Sequence, residues 1–364
     1  YHKEGTGTMP SEEKCQTPGC GGGQGAGGGV GRGRDGLEPL AGGGAPGDIA
    51  FGRLPGLLQD LFRAGAAGKR PLPQNEDSLL KEAGIGTYIL FQETYHKGNY
   101  EYLHPTGPKH NYAYHTEAMD RAMQGGIDDV GLGVLFGLEN YRYELAALLM
   151  HAEHLEAVYG VGPHTISLPR VKHADDIDPN SFQHAISDDI FAKICAVIRV
   201  SVPYTGMIIS TRENQKVRER LLHLGISQIS GASRTSVGGY VQPEEEEENS
   251  QQFDVSDNRS LDEIVSWLIK LGYIPSFCTA CYREGRTGDR FMELCKHNQI
   301  LNCCHPNALL TLKEYLEDYA SPQTKALGLE LIERELPHVK NPKARQIAAE
   351  RLQLIAQGQR DFRF

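Results

Sequence analysis

From about residue 80 the apolar positions settle into an alternation of two periods. The run from Thr87 to Gln92 predicts a strand, and the stretch from Tyr112 to Gln124 follows with helical spacing. Strand signals recur at 129–134, 164–168, 205–209 and 226–230. Helices are expected between them at 141–159, 188–200 and 214–224. This is the rhythm of parallel βα units and hence of an α/β fold. Five units cannot close a barrel of eight. They make either a doubly wound open sheet with helices on both faces, or a partial (βα)8 barrel whose first three units are missing upstream. The second arrangement is preferred because the chain opens on Tyr1, with its first methionine at Met9.

The pattern changes again after the acidic run Glu244–Glu248, which reads as a solvated loop. Ser260-Leu-Asp-Glu263 makes a capping box, and Leu261, Ile264, Val265, Leu268 and Ile269 form one apolar helical stripe ending at Gly272. Thr311-Leu-Lys-Glu314 reads as a second capping box, and Ser321-Pro322 and Asn341-Pro342 each start a further helix. The residues from Gln357 to Phe364 read as a frayed end. Four divisions follow: a Gly-rich segment at 1–78, a βα region at 79–240, an acidic loop at 241–259 and a helical C-terminal module at 260–364.

Composition narrows the function. Half of the positions from Cys20 to Gly47 are glycine, so burial there cannot offset backbone entropy and the segment is expected to be disordered. Within it, Gly23-Gln-Gly25-Ala-Gly27-Gly28 matches a dinucleotide-binding pattern with no strand before it and no helix after it. A net charge of −10 argues against a general nucleic-acid or membrane binder. No apolar run is long enough to span a bilayer.

Eight cysteines are too sparse for a disulfide scaffold, and those of the last third favour metal or redox chemistry. Cys195, inside Ile194–Ile198, reads as a buried thiol. Cys278-Thr-Ala-Cys281, followed after 22 residues by Cys304, offers three thiolates. A structural zinc would need a fourth ligand, from Cys303, His305 or His297. A dithiol redox pair needs no third cysteine. An iron–sulfur cluster held by three thiolates leaves one iron open to an outside ligand. Arg283, Arg286 and Arg290 could offset the charge of such a site. On the 141–159 helix, His151 flanks the apolar stripe and His154 lies well off it. A histidine packed at the core boundary is the ordinary reading, and a metal near the core would recruit His151. Polar residues also gather just past the strand ends, among them Glu93, Arg170, Ser210-Thr211-Arg212 and Ser230. In a βα barrel that rim binds substrate and cofactor, whereas helix capping explains Thr211 and Ser233 most readily.

Five stretches carry a family resemblance: Phe91–His96, Asp128–Leu138, Gly162–Ser167, Val202–Met207 and the insert from Cys278 to Asn307. They resemble the HydG-type tyrosine lyases of FeFe-hydrogenase maturation, radical-SAM enzymes related to the thiamine-pathway tyrosine lyase ThiH. The resemblance runs from about residue 79 onward. It implies a radical-SAM (βα)8 TIM barrel followed by a helical module with a second iron–sulfur cluster. It also implies an activity: a radical from S-adenosylmethionine cleaves L-tyrosine to p-cresol and dehydroglycine, and the fragment becomes carbon monoxide and cyanide at the C-terminal site. By the same resemblance, Cys278, Cys281 and Cys304 hold a 4Fe-4S cluster, His151 binds its extra iron, and Glu93 and Arg170 contact S-adenosylmethionine or tyrosine. Hydrogenase maturation proteins are the implied partners, in a chloroplast for an algal source and otherwise in the cytoplasm. The Cys-x3-Cys-x2-Cys loop that would hold the S-adenosylmethionine cluster is absent from the sequence. The chain is therefore expected to be an incomplete copy, inactive alone, with the Gly-rich stretch standing where the first units should be. A non-enzymatic, zinc-stabilised α/β interaction module is the alternative.

Overall fold

The computed structural model describes residues 74–173, 181–233 and 255–364. The Gly-rich segment, Cys15, Cys20 and the acidic run Glu244–Glu248 lie outside the described residues. Five parallel strands form one sheet: β1 (Tyr88–Ile89), β2 (Val130–Gly133), β3 (Thr165–Ser167), β4 (Gly206–Ile209) and β5 (Gln228–Ile229). Their spatial order is β1-β2-β3-β4-β5, with Tyr88 opposite Val130, Gly131 opposite Thr165, Thr165 opposite Gly206 and Ile208 opposite Gln228. A doubly wound sheet reverses its order at a switch point. Here there is none. With right-handed crossovers throughout, every helix falls on one face, which is the winding of a barrel arc.

The helices that precede or cover this arc are α1 (Gln74–Glu82), α2 (Lys97–Leu103), α3 (Tyr112–Thr116), α4 (Ala118–Gln124), α5 (Tyr141–Tyr159), α6 (Asp188–Ser201) and α7 (Gln215–His223). Val130, Leu132, Ile166, Leu168, Met207 and Ile209 point into a core shared with Leu148 and Leu155 of α5 and Phe191, Ile194, Cys195 and Ile198 of α6. The alternate positions Gly131, Gly133, Thr165 and Ser167 take the other face, as the two-residue period of a strand requires. A Cβ on Gly131 would come within 2.7 Å of Ile89 and Thr165 side-chain atoms, so glycine permits a close approach there. Ile89, Phe91 and Ile208 share that face with these small and polar groups.

The remaining helices are α8 (Leu261–Lys270), α9 (Ala280–Arg283), α10 (Gly288–Lys296), α11 (Leu301–Asp318), α12 (Pro322–Glu335) and α13 (Pro342–Ala356). Helix α8 is a party wall. Its Ile264, Trp267 and Leu268 join the core of the sheet, whereas Val265 and Ile269 join a second core built from α11, α12 and α13. The Ser260–Glu263 capping box starts it as expected. Asp262, within that box, accepts from Ser321 and Thr324 at the start of α12.

Several expectations from sequence need correction. The helix expected over 112–124 breaks at Glu117 into α3 and α4, and α2 was not anticipated. Thr311 starts no helix: it lies mid-α11, its hydroxyl donating to the Asn307 carbonyl and accepting from Phe277 N–H. The spacing of a capping box was present without the break in helical backbone that gives it meaning. Thr211 caps nothing either, since Asn214 caps α7, and the Thr211 carbonyl instead accepts from Ser256 and Asp257 N–H at 3.0 Å each. The residues after Gln357 are docked and not frayed, through contacts described below. No helix among the described residues is long and apolar enough to cross a membrane.

Candidate metal centre

The cysteine insert is itself helical. Phe277 stacks on Tyr315 at 5.0 Å between ring centres and anchors the approach to Cys278. The Ala280 N–H donates to Cys278 Sγ at 3.4 Å, which fixes that sulfur over the start of α9. Cys281 lies in α9, and Cys304 occupies the first turn of α11, where the helix dipole favours a thiolate. Cys278, Cys281, Cys295, Cys303 and Cys304 are all partly buried and unbridged. Burial pushes the Cys304 thiol up to about 12 and Cys295 to about 11, and neighbouring sulfurs add to both shifts. Burial raises Cys278 as well, with Cys281 and Cys303 contributing. The five thiols thus share one electrostatic neighbourhood.

Among the described residues, no three Cys, His, Asp or Glu side chains converge as on a single ion. A cubane cluster holds each thiolate on a different iron, so its ligands sit further apart than those of one zinc. A soft sulfur donor set with a guanidinium beside it suits such a cluster. Of the histidines that could complete a zinc site, His297 pairs with Glu293 at 3.1 Å, while His305 keeps its Nε2 buried with no hydrogen-bond partner.

The insert docks on the end of the sheet where the strands begin. Tyr282 hydroxyl meets Thr87 Oγ1 at 2.7 Å, Thr287 donates to Asp128 at 3.0 Å, and Gly288 N–H donates to Asp129 Oδ1 at 3.0 Å. Lys296 of α10 pairs with Glu156 of α5. At this junction His164, the residue before β3, packs its ring at a tilt against Phe291, 4.5 Å between centres, and faces Asp129, with Nδ1 and Oδ2 3.5 Å apart. Both of those atoms are buried without a hydrogen-bond partner. Burial pushes Asp129 up and His164 down, and each partner's charge opposes the shift of the other.

His151, the expected ligand of an extra iron, lies elsewhere. It sits on α5 against the sheet, with Nδ1 sharing a 2.9 Å hydrogen bond with the Tyr95 hydroxyl, and burial pushes its imidazole down to about 4. His154 pairs with Asp120 near the surface. The histidine that the sheet presents to the cysteine insert is His164. Sequence periodicity offered only its place at a strand start. Glu93 and Arg170 lie at the opposite end of the strands, as expected for the rim. Glu93 adopts a left-handed φ of 67° and binds Lys109 at 2.5 Å. Arg170 is held by Glu213 through two bonds of 2.7 and 2.6 Å, by Asp188 at 2.6 Å and by the Ile186 carbonyl. Its donors brace the rim itself, and Glu213 is the partner that sequence reasoning missed.

Residues 167–274 match the Biotin and Thiamin Synthesis associated domain. With the fold and the thiol group in place, comparison with solved structures decides the likeness. Its structural neighbours are HydG maturases. One, described as a maturase of the FeFe-hydrogenase, is 53% identical with a TM-score of 0.78, covering 81% of this chain and 64% of that one. A second, HydG from Carboxydothermus hydrogenoformans, is 38% identical with a TM-score of 0.62, covering 78% and 61%. Two 2-iminoacetate synthases, from Escherichia coli and Salmonella typhimurium, are each 31% identical, over 220 and 208 residues. The chain spans 57% and 54% of their lengths, a little over half. The expected fold class, α/β with part of a radical-SAM (βα)8 barrel, stands on the HydG likeness and the strand order.

Proposed function

We propose that this chain carries the C-terminal iron–sulfur site of a radical-SAM tyrosine lyase that serves FeFe-hydrogenase maturation. The observation that carries the reading is the placement of Cys278, Cys281 and Cys304 in one group at the strand-start end of the arc, opposite the Glu93 and Arg170 rim. Those three residues would hold a 4Fe-4S cluster, with His164 and Asp129 in place of His151 as protein donors toward an extra iron. When bound, the cluster supplies open iron coordination for forming carbon monoxide and cyanide from the tyrosine-derived fragment.

The chain's own residues do the positioning. Ala280 N–H steadies the Cys278 sulfur, and the Arg286 guanidinium offsets thiolate charge beside Cys281. Tyr282, Phe291 and His164 bring their rings together at the junction between insert and sheet. Gly131 and Gly133 let the Ile89 and Phe91 side chains lie close over the neighbouring strand between the two ends. S-adenosylmethionine and L-tyrosine belong to the rim end. Reductive cleavage there needs a Cys-x3-Cys-x2-Cys loop that these 364 residues do not contain, so the chain alone forms no radical.

Cyanide titration of the reduced, reconstituted protein tests the reading, because an iron with an open position takes an outside ligand. The expected result is a changed cluster resonance in the native chain, with no p-cresol from tyrosine and S-adenosylmethionine. A cluster spectrum indifferent to cyanide contradicts the open site.

A further inference from the structure

The segment Arg360–Phe364 makes a dense set of bonds to two other elements. Toward the Cys281 side, Asp361 forms a two-pronged pair with Arg283, Arg363 binds Glu284 at 2.6 Å, and the Phe364 carbonyl accepts from Arg286 at 2.5 Å. Toward the Cys304 side, Arg360 pairs with Asp318, Asp361 N–H donates to Glu314 at 2.7 Å, and Phe364 N–H donates to Asn307 Oδ1 at 2.8 Å. Asn307 Nδ2 returns a bond to the Phe364 carbonyl at 3.4 Å. The three partners on the first side all lie within five residues of Cys281. Those on the second belong to α11, the helix that bears Cys304.

Two residues are buried at the centre of this arrangement. Asn307, 2% exposed, stands one turn from Cys304 and spends its amide on the Phe364 backbone. Arg286, 9% exposed, donates its N–H to the Cys281 carbonyl at 2.8 Å, while its guanidinium lies between the Cys281 sulfur and the Phe364 carbonyl. Its Nε is buried with no partner. Asp361 takes a left-handed φ of 70°, a conformation unfavourable for an L-residue, which its bonds to Arg283, Glu314 and Arg363 hold in place. Arg351 of α13 covers the Phe364 ring at 4.7 Å and ties the segment back to the helical core.

We propose that Arg360–Phe364 is a clasp that fixes the Cys278/Cys281 turn against the Cys304 helix, with Arg286 and Asn307 as its positioning residues. No other described segment bonds side by side to both ligand-bearing elements through their own side chains in this way. The Cys278–Cys281 turn and the start of α11 are separated by 19 residues of chain, and local secondary structure does not set the distance between them. Phe277, through Tyr315 and Thr311, ties the Cys278 end of the turn to α11, and the clasp ties its Cys281 end. It presents the thiols pre-assembled, so that ordering the site is not left to whatever they bind. That the thiols hold an iron–sulfur cluster rests on the function proposed above, but the clasp is tested without it.

The test reads alkylation of individual cysteines by mass spectrometry in the metal-free full chain. Asp361→Arg with Arg363→Glu reverses the exposed and the half-buried charge that face Arg283 and Glu284 and leaves the bonds of Arg286 and Asn307 to the Phe364 backbone intact. Opening of the clasp should speed alkylation of Cys281 and Cys304 roughly tenfold while Cys195 in the sheet core stays slow. Adding Arg283→Asp with Glu284→Arg restores the pairs with opposite polarity and should return both rates toward the native values, a rescue that general destabilisation does not produce. Unchanged rates at Cys281 and Cys304, or equal acceleration at Cys195 without rescue, overturns the proposal. If the rates respond and are rescued in a chain that binds no iron on reconstitution, the clasp stands and the cluster reading fails.

Discussion

His151 and His164 illustrate how much placement decides about one residue type. His151 is a neutral core histidine: Tyr95 binds its Nδ1, and burial outweighs the opposing pull of the Asp120 carboxylate. Its folded value of about 4 lies below the ordinary 6.5, so between those values the unfolded chain binds a proton that the folded chain refuses. Stability therefore falls as pH drops through that window, by up to roughly 3 kcal/mol from this residue. Replacing His151 with Gln should flatten the acid limb of a denaturant-midpoint series, while His115 and His164, also lowered by burial, keep part of the slope. An unaltered limb contradicts the core assignment. The cysteines were legible because thiolate spacing in sequence survives folding. His164 was not, because it meets Phe291 only once β3 and α10, more than a hundred residues apart, are brought together.

At the scale of elements, the capping residues Ser260, Ser321 and Asn341 announced their helices correctly, since each bonds to the backbone one turn ahead. Thr311-Leu-Lys-Glu314 misled because the same residue types serve mid-helix when a tertiary partner, here Phe277 N–H, takes the hydroxyl. The segment after Gln357 was illegible for a related reason: its charges follow no helical or strand period, and their partners lie 42 to 79 residues away. Two packing predictions belong here. Arg218 is fully buried and pairs with Asp257, which tethers the loop before α8. Asp257→Ala leaves that guanidinium uncompensated and should cost about 3–5 kcal/mol in a urea unfolding series. Where α11 crosses α12, a Cβ on Gly328 would meet Leu316 Cδ1 at 2.4 Å. Helix propensity favours Gly328→Ala by about 1 kcal/mol, but overpacking of this kind costs typically 1–3 kcal/mol. A net loss of stability is expected, and a gain would show that the two helices part easily.

Across the whole molecule, strand order carried the argument. The spacing of five βα units left a doubly wound sheet and a barrel arc equally consistent with periodicity, and the uninterrupted order β1 to β5 separates them. The arc then sets the two ends apart: Glu93 and Arg170 past the strand ends, the thiols beyond the strand starts, with α8 joining the sheet to the helical core. The central claim is that Cys278, Cys281 and Cys304 hold an iron–sulfur cluster. Anaerobic reconstitution of the full chain, with iron, zinc and sulfide analysis and electron paramagnetic resonance beside a Cys278→Ser/Cys281→Ser control, addresses it directly. The account predicts about four to five irons per chain and a cluster signal that the control lacks. One zinc per chain with no iron would contradict it and leave a zinc-stabilised interaction module in its place.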